Sequence, residues 1–136
     1  MVEHILVPTD GSDNSYGALE QAIEIATPLE AAVHVLTVVP EMTRGAKLRE
    51  EWADRVDEAV ETGRERVEQA GLAFTGATRE GPVARQIVEY AEQNDIDMIV
   101  MGTHGRTGLH RFLVGSVAQR TIQTAPIPVL TVPPEE

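Results

Sequence analysis

The feature that most narrows what this chain can fold into is a change of hydrophobic period that recurs along its length. Short runs rich in β-branched residues alternate with longer stretches in which apolar residues return at helical spacing. This is the mark of βα units and a mainly parallel sheet, because parallel neighbours need a crossover long enough to hold a helix. His4 to Val7 reads as a strand ending at Pro8. Leu19, Ala22, Ile23 and Ala26 then recur at i, i+3, i+4 and i+7, which predicts a helix from about Asn14 to about Ala26, with Ser12 and Asp13 suited to its cap. Val33 to Val39 is apolar except for His34 and Thr37, as a strand buried on both faces requires, and Pro40 stops it.

The alternation continues. From about Ala46 to Ala70, the residues Leu48, Trp52, Val56, Ala59, Val60, Val67 and Ala70 form one helical stripe, with Gly71 suited to its stop. Leu72 to Thr78 reads as a strand. Gly81-Pro82 opens a helix that turns Val83, Ile87, Tyr90 and Ala91 to the sheet and ends at Asn94. Asp97 to Met101 is a further buried strand, Gly115-Ser116 begins a helix carrying Val117, Ala118 and Ile122, and Ile127 to Val132 is the last strand.

The 136 residues have room for one such sheet with its helices, so 1–136 is read as a single domain. No apolar run approaches the ~18 residues of a membrane span, and Met1 to Asp10 lacks the features of a secretory signal, so a cytoplasmic protein is expected. The absence of cysteine excludes disulfides, thiolate metal sites and cysteine nucleophiles. The histidines, at 4, 34, 104 and 110, show no metal-ligand spacing. A net charge of −11 disfavours phosphate backbones and anionic lipid, so neither nucleic acid nor a membrane is expected as a partner. Lys47 is the single lysine, and acidic excess with so little lysine suits a halophilic protein in a salt-rich cytoplasm; an ordinary acidic protein is the alternative. The charges from Arg49 to Glu68 read as a solvated helix face. Pro128 has no N–H to give to a ladder, which places the last strand at a sheet edge, and pairing of that edge with a second copy through Ile127 to Val132 predicts a homodimer.

The segment that carries chemistry is Gly102-Thr103-His104-Gly105-Arg106-Thr107-Gly108, followed by Leu109 to Val114 and then Gly115-Ser116-Val117-Ala118. It begins where a strand ends and finishes where a helix starts. Glycines there allow positive φ and let backbone N–H groups approach an anion, and the helix start adds unpaired N–H groups and partial positive charge. A phosphate group is the expected guest, although tight turns alone would also use such glycines. The spacing is neither of the commonest phosphate loops, since Gly-x-x-x-x-Gly-Lys-Ser/Thr and an early Gly-x-Gly-x-x-Gly are both absent.

At these residues the chain resembles the universal stress protein family, whose nucleotide-binding members carry Gly-x-x-Gly, nine residues, then Gly-Ser/Thr. Here Gly102 and Gly105 are followed by nine residues, Arg106 to Val114, and then Gly115-Ser116. Ile5-Leu6-Val7-Pro8-Thr9-Asp10-Gly11-Ser12, Gly81 with Ile87, and Pro128-Val129-Leu130 are similar to the family as well, so the resemblance spans nearly the whole chain. It implies an α/β fold with an open five-stranded parallel sheet in the order 3-2-1-4-5 and helices on both faces, Rossmann-like and of the adenine nucleotide α-hydrolase type. It also implies a site at the reversal of strand order, where Pro8, Thr9 and Asp10 meet Gly102 to Gly108.

The resemblance implies adenine nucleotide, chiefly ATP with magnesium or manganese, as the ligand. Asp10 would face the ribose and phosphates, with or without the metal ion, or else cap the following helix. The backbone of Val38 would meet the adenine edge. Gly102, Thr103, His104, Gly105, Arg106, Thr107, Gly108, Gly115, Ser116, Val117 and Ala118 would surround the phosphates. Arg106 reads equally as a phosphate contact or a solvated loop residue, and Ser116 as a phosphate ligand, a helix N-cap or both. His104 has no partner spaced to make it a catalytic base, so it is expected to pack on the loop or touch phosphate. No catalytic residue is assigned. The functions consistent with this are an ATP-binding stress or regulatory protein with at most slow hydrolysis, a nucleotide-hydrolysing or adenylate-forming enzyme of the same fold, and a nucleotide-free dimeric interaction module.

Overall fold

The structure, a computed structural model, describes residues 1–40, 46–104 and 115–135, with side chains omitted at 46–49. Strands and helices alternate throughout: β1 (His4–Pro8), α1 (Asp13–Leu29), β2 (Ala32–Val39), α2 (Ala46–Gln69), β3 (Phe74–Glu80), α3 (Val83–Gln93), β4 (Met98–Gly102), α4 (Ser116–Thr124) and β5 (Val129–Val132). The strands form one parallel sheet in the order β3-β2-β1-β4-β5, the order that the family resemblance implies.

Alternating side chains divide the core between the two faces of the sheet. Ile5, Val7, Val33, Val35 and Val100 pack with Ala18, Leu19, Ala22 and Ala26 of α1 and Val67 of α2. Leu6, Leu36, Val38, Ile99 and Met101 pack with Ile87, Tyr90 and Ala91 of α3 and Ala118 of α4. The middle strand β1 has Ile5, Leu6 and Val7 wholly buried, and each such side chain contributes on the order of 1.5–3 kcal/mol relative to exposure. The central strands therefore provide a rigid base for the loops at their carboxyl ends.

Several boundaries differ from the sequence reading for identifiable reasons. The first helix continues beyond Ala26 to Leu29, with Pro28 in its last turn, and it closes at Glu30, whose N–H reaches the carbonyls of Ala26 and Thr27. Leu72 lies in the turn that closes α2 and not in β3. Its N–H donates to the Val67 carbonyl and its side chain joins the core, so the strand begins only at Phe74 and runs to Glu80. Asp97 stands just before β4, where its carboxylate accepts the N–H groups of Glu3 and His4 at 2.9 and 3.0 Å. The last strand starts at Val129 and not at Ile127; Pro128 precedes it and accepts the Ile99 N–H at 2.9 Å. That strand lies at the sheet edge, as expected, although Pro128 stands just outside it. Ile122 of α4 is 48% exposed and so does not add to the core.

Candidate functional site

The order of strands reverses between β1 and β4, which lie side by side with Ile5 opposite Met98 and Leu6 opposite Ile99. Their connections leave in opposite directions, β1 toward α1 and β2, and β4 toward α4 and β5. The carboxyl ends of β1 and β4 thus open a crevice, with the start of α1 and the approach to α4 on its walls.

The turn after β1 is closed by its own side chains. The Thr9 and Ser15 hydroxyls are 2.8 Å apart, and Gly11 N–H donates to Thr9 Oγ1 at 3.2 Å. Asp10 Oδ1 accepts the Ser12 N–H at 2.9 Å, and Ser12 Oγ caps α1 by accepting the Ser15 N–H at 3.2 Å. Of the two roles weighed for Asp10, that of cap residue passes to Ser12; Asp10 instead orders the turn that presents Ser12.

The segment after β4 is held at its two ends. Thr103 is buried, its N–H donates to the Val132 carbonyl at 3.0 Å, and its own carbonyl accepts the Gly115 N–H at 2.6 Å. The His104 N–H donates to Asn14 Oδ1 at 2.9 Å, and its Nδ1 lies 2.7 Å from Thr103 Oγ1. Among the described residues the buried His104 Nε2 has no hydrogen-bond partner. Thr103 and Gly115 thus form a neck from which the glycine-rich loop departs and to which it returns. Gly105, Arg106, Thr107 and Gly108, assigned to phosphate in the sequence, lie outside the described residues.

Neither described glycine of the motif, Gly102 or Gly115, uses the positive φ that glycine permits. Both are needed for close approach. A Cβ at Gly102 would stand 2.6 Å from Asn14 Oδ1, and one at Gly115 would stand 2.8 Å from the Thr103 carbonyl oxygen. The helix α4 begins at Ser116, so the N-cap position belongs to Gly115 and not to Ser116. Gly115 has no side chain to offer, and the first-turn amides of Ser116, Val117 and Ala118 stand at a helix start without a side-chain cap. Pro82 likewise gives α3 no side-chain cap, but of these two helices it is α4 that starts at the strand-order reversal.

These features suit an anionic ligand. An uncapped helix start supplies donors and partial positive charge, and His104 Nε2, without a partner among the described residues, is a further polar group at the mouth of the loop. Val38 stands near the end of β2 with its side chain in the core, so it could offer a ligand only its backbone. No group of three or more His, Asp or Glu among the described residues could hold a metal ion. No described helix is long and apolar enough to cross a membrane.

The shifted ionisable groups belong to other parts of the fold. His34, buried in β2, is held below its ordinary value by desolvation first and by His4 second. Its Nε2 lies 3.1 Å from His4 Nδ1 and its Nδ1 2.8 Å from the Tyr90 hydroxyl. Burial pushes Tyr90 up, opposed by Arg79, and the backbone N–H groups of Glu3 and His4 hold Asp97 down.

Asn14 is the site residue that sequence reasoning missed. Periodicity marked it only as the approximate start of a helix, yet it is buried and touches three segments of the crevice. A polar residue in the first turn of a helix, four positions before the buried Ala18, was the available signal.

Comparison with known proteins agrees with this architecture. Residues 1–133 match the model of the universal stress protein family. A universal stress protein of Methanocaldococcus jannaschii is 39% identical over 97% of this chain and 82% of its own length. The solved structure of another universal stress protein of that organism superposes with a TM-score of 0.90 at 28% identity, covering 100% of this chain and 99% of the other. A universal stress protein solved in complex with cAMP has a TM-score of 0.76 at 25% identity, with 96% of each chain covered.

Proposed function

This chain belongs to the universal stress protein family, and on that footing we propose that it is an adenine-nucleotide-binding regulatory protein. The observation that carries the proposal is the uncapped start of α4 at the strand-order reversal, directly behind the Thr103–Gly115 neck. The relative in complex with cAMP supports adenine nucleotide as the ligand class. Bound ATP would have its phosphates on the amides of Ser116, Val117 and Ala118 and on the loop between Thr103 and Gly115. Its adenine edge would meet the backbone near Val38, and Asp10 would face the ribose and a nucleotide-bound magnesium or manganese ion. The protein's part is to bind, orient and partly screen the nucleotide.

Turnover is expected to be slow. The single lysine, Lys47, falls in α2 and not in the glycine segment, so the lysine that cradles β- and γ-phosphates in common phosphate loops has no counterpart there. Mass spectrometry of nucleotide released from freshly purified protein, with phosphate release followed over hours, tests this reading. ATP with negligible release supports it, brisk release favours an enzyme, and empty protein whose melting ignores ATP and magnesium overturns it.

The active form proposed is a homodimer paired through the last strand, because β5 ends the sheet and carries Leu130 at 38% exposure. A monomeric mass by light scattering at micromolar concentration removes that part. A cytoplasmic, salt-rich setting fits the charge of −11, and a melting point indifferent to potassium chloride contradicts the salt component.

A further inference from the structure

We propose that Asn14 is a positioning residue that ties the mouth of the nucleotide loop to the edge strand β5, so that loop geometry and the order of that edge depend on one side chain. The proposal rests on the nucleotide reading given above, and it concerns only described residues. Asn14 is 9% exposed and uses both ends of its amide. Oδ1 accepts the His104 N–H at 2.9 Å, and Nδ2 donates to the Val132 carbonyl at 2.9 Å. The orientation of the amide is fixed by these partners, since the flipped form would set donor against N–H and acceptor against C=O.

The Val132 carbonyl accepts a second bond from the Thr103 N–H at 3.0 Å. One carbonyl of the edge strand therefore receives both the residue that opens the loop and the side chain that steadies the next residue, His104. The Thr103 carbonyl in turn receives Gly115, the N-cap position of α4. A continuous set of bonds thus runs from α1 through Asn14 to the loop mouth, to β5 and to the start of the phosphate-facing helix. Gly102 makes room for it, because its hypothetical Cβ would meet Asn14 Oδ1, Cγ and Nδ2 at 2.6, 2.7 and 3.1 Å. The absence of a side chain at Gly102 and the presence of an amide at position 14 are one packing solution.

The test compares wild type, Asn14→Ala and, as a control in the same helix, Ser12→Ala. Isothermal calorimetry with ATP and magnesium reads affinity, and amide hydrogen exchange reads the Thr103, His104 and β5 amides. Asn14→Ala is expected to weaken ATP binding about tenfold, as loss of one to two net hydrogen bonds at the loop mouth implies. It should also quicken exchange at His104 and along β5 together. Ser12→Ala should lower stability while leaving affinity and His104 exchange unchanged, which separates positioning from general loosening. Should Asn14→Ala not fold, Asn14→Asp keeps the acceptor for His104 and loses the donor to Val132; it is then expected to keep His104 protected while β5 exchange quickens. Unchanged affinity and unchanged exchange in a folded Asn14 variant overturn the proposal. Failure of the wild-type chain to bind ATP overturns the nucleotide reading beneath it, and is visible before any substitution is made.

Discussion

Two helix starts face the same crevice and are finished in opposite ways. At α1, Ser12 caps the helix, Asp10 braces Ser12, and Thr9 and Ser15 share a hydroxyl contact. At α4, the cap position is Gly115, which has no side chain and is pressed against the Thr103 carbonyl. The first start satisfies itself and so contributes stability; the second keeps first-turn donors without a side-chain cap, and the proposed function uses them. Since a satisfied helix start has little left to give an anion, the contrast is why the proposal puts the phosphates on the α4 wall of the crevice.

The severest way to break this contrast is Gly115→Ala. The new methyl would meet a backbone oxygen that no rotamer change can move, so a loss of about 1–3 kcal/mol by urea unfolding is expected, together with loss of ATP binding. Next is the ligand itself. ATP with magnesium at 100 times its dissociation constant should stabilise the wild type by ~2.7 kcal/mol. Thermal melts should show that gain undiminished in Ser12→Ala and absent in Gly115→Ala; equal gains in all three would mean that α4 is not the anion-binding wall. Removing the side-chain cap by Ser12→Ala should cost about 1 kcal/mol with ATP affinity unchanged, and a matched fall in affinity would erase the division of labour between the two starts.

The smallest effect comes from a group that touches neither start. His34 is held below its ordinary value in the fold, so the unfolded chain binds more protons as pH falls through about 6.5. Stability is then greatest above that pH and declines on acidification until His34 is protonated in the folded state too. His4, Tyr90 and, beyond Tyr90, Arg79 are its neighbours. Urea midpoints between pH 7.5 and 5.5 should show a shallower slope in His34→Gln than in wild type. A slope that His34→Gln leaves unchanged would assign the pH dependence to other groups. Asp97, held below its ordinary value, adds its own loss only in stronger acid.

Much of the fold was legible because periodicity is a local property. The stripe from Leu19 to Ala26 and the apolar run from Val33 to Val39 each declare their element without reference to any other segment. Boundaries were less legible, since Leu72 and Asp97 look like strand residues until the helix end and the β1 amides claim them. The site was legible as a glycine segment between a strand and a helix, but its internal division of labour was not. Gly102 and Gly115 invited a phosphate explanation, whereas their missing Cβ atoms make room for Asn14 and for the Thr103 carbonyl.

The amino-acid order alone therefore determined the alternation of elements, and it singled out the glycine segment between β4 and α4 on which the proposed function rests. The order of the strands came from family resemblance, since hydrophobic period says which face of a strand is buried and nothing about its neighbours. Only the tertiary structure brought Asn14, Thr103, Gly115 and Val132 together, residues far apart in the chain. Hydrogen bonds of that kind depend on where rigid elements come to rest against one another, and no local pattern encodes them.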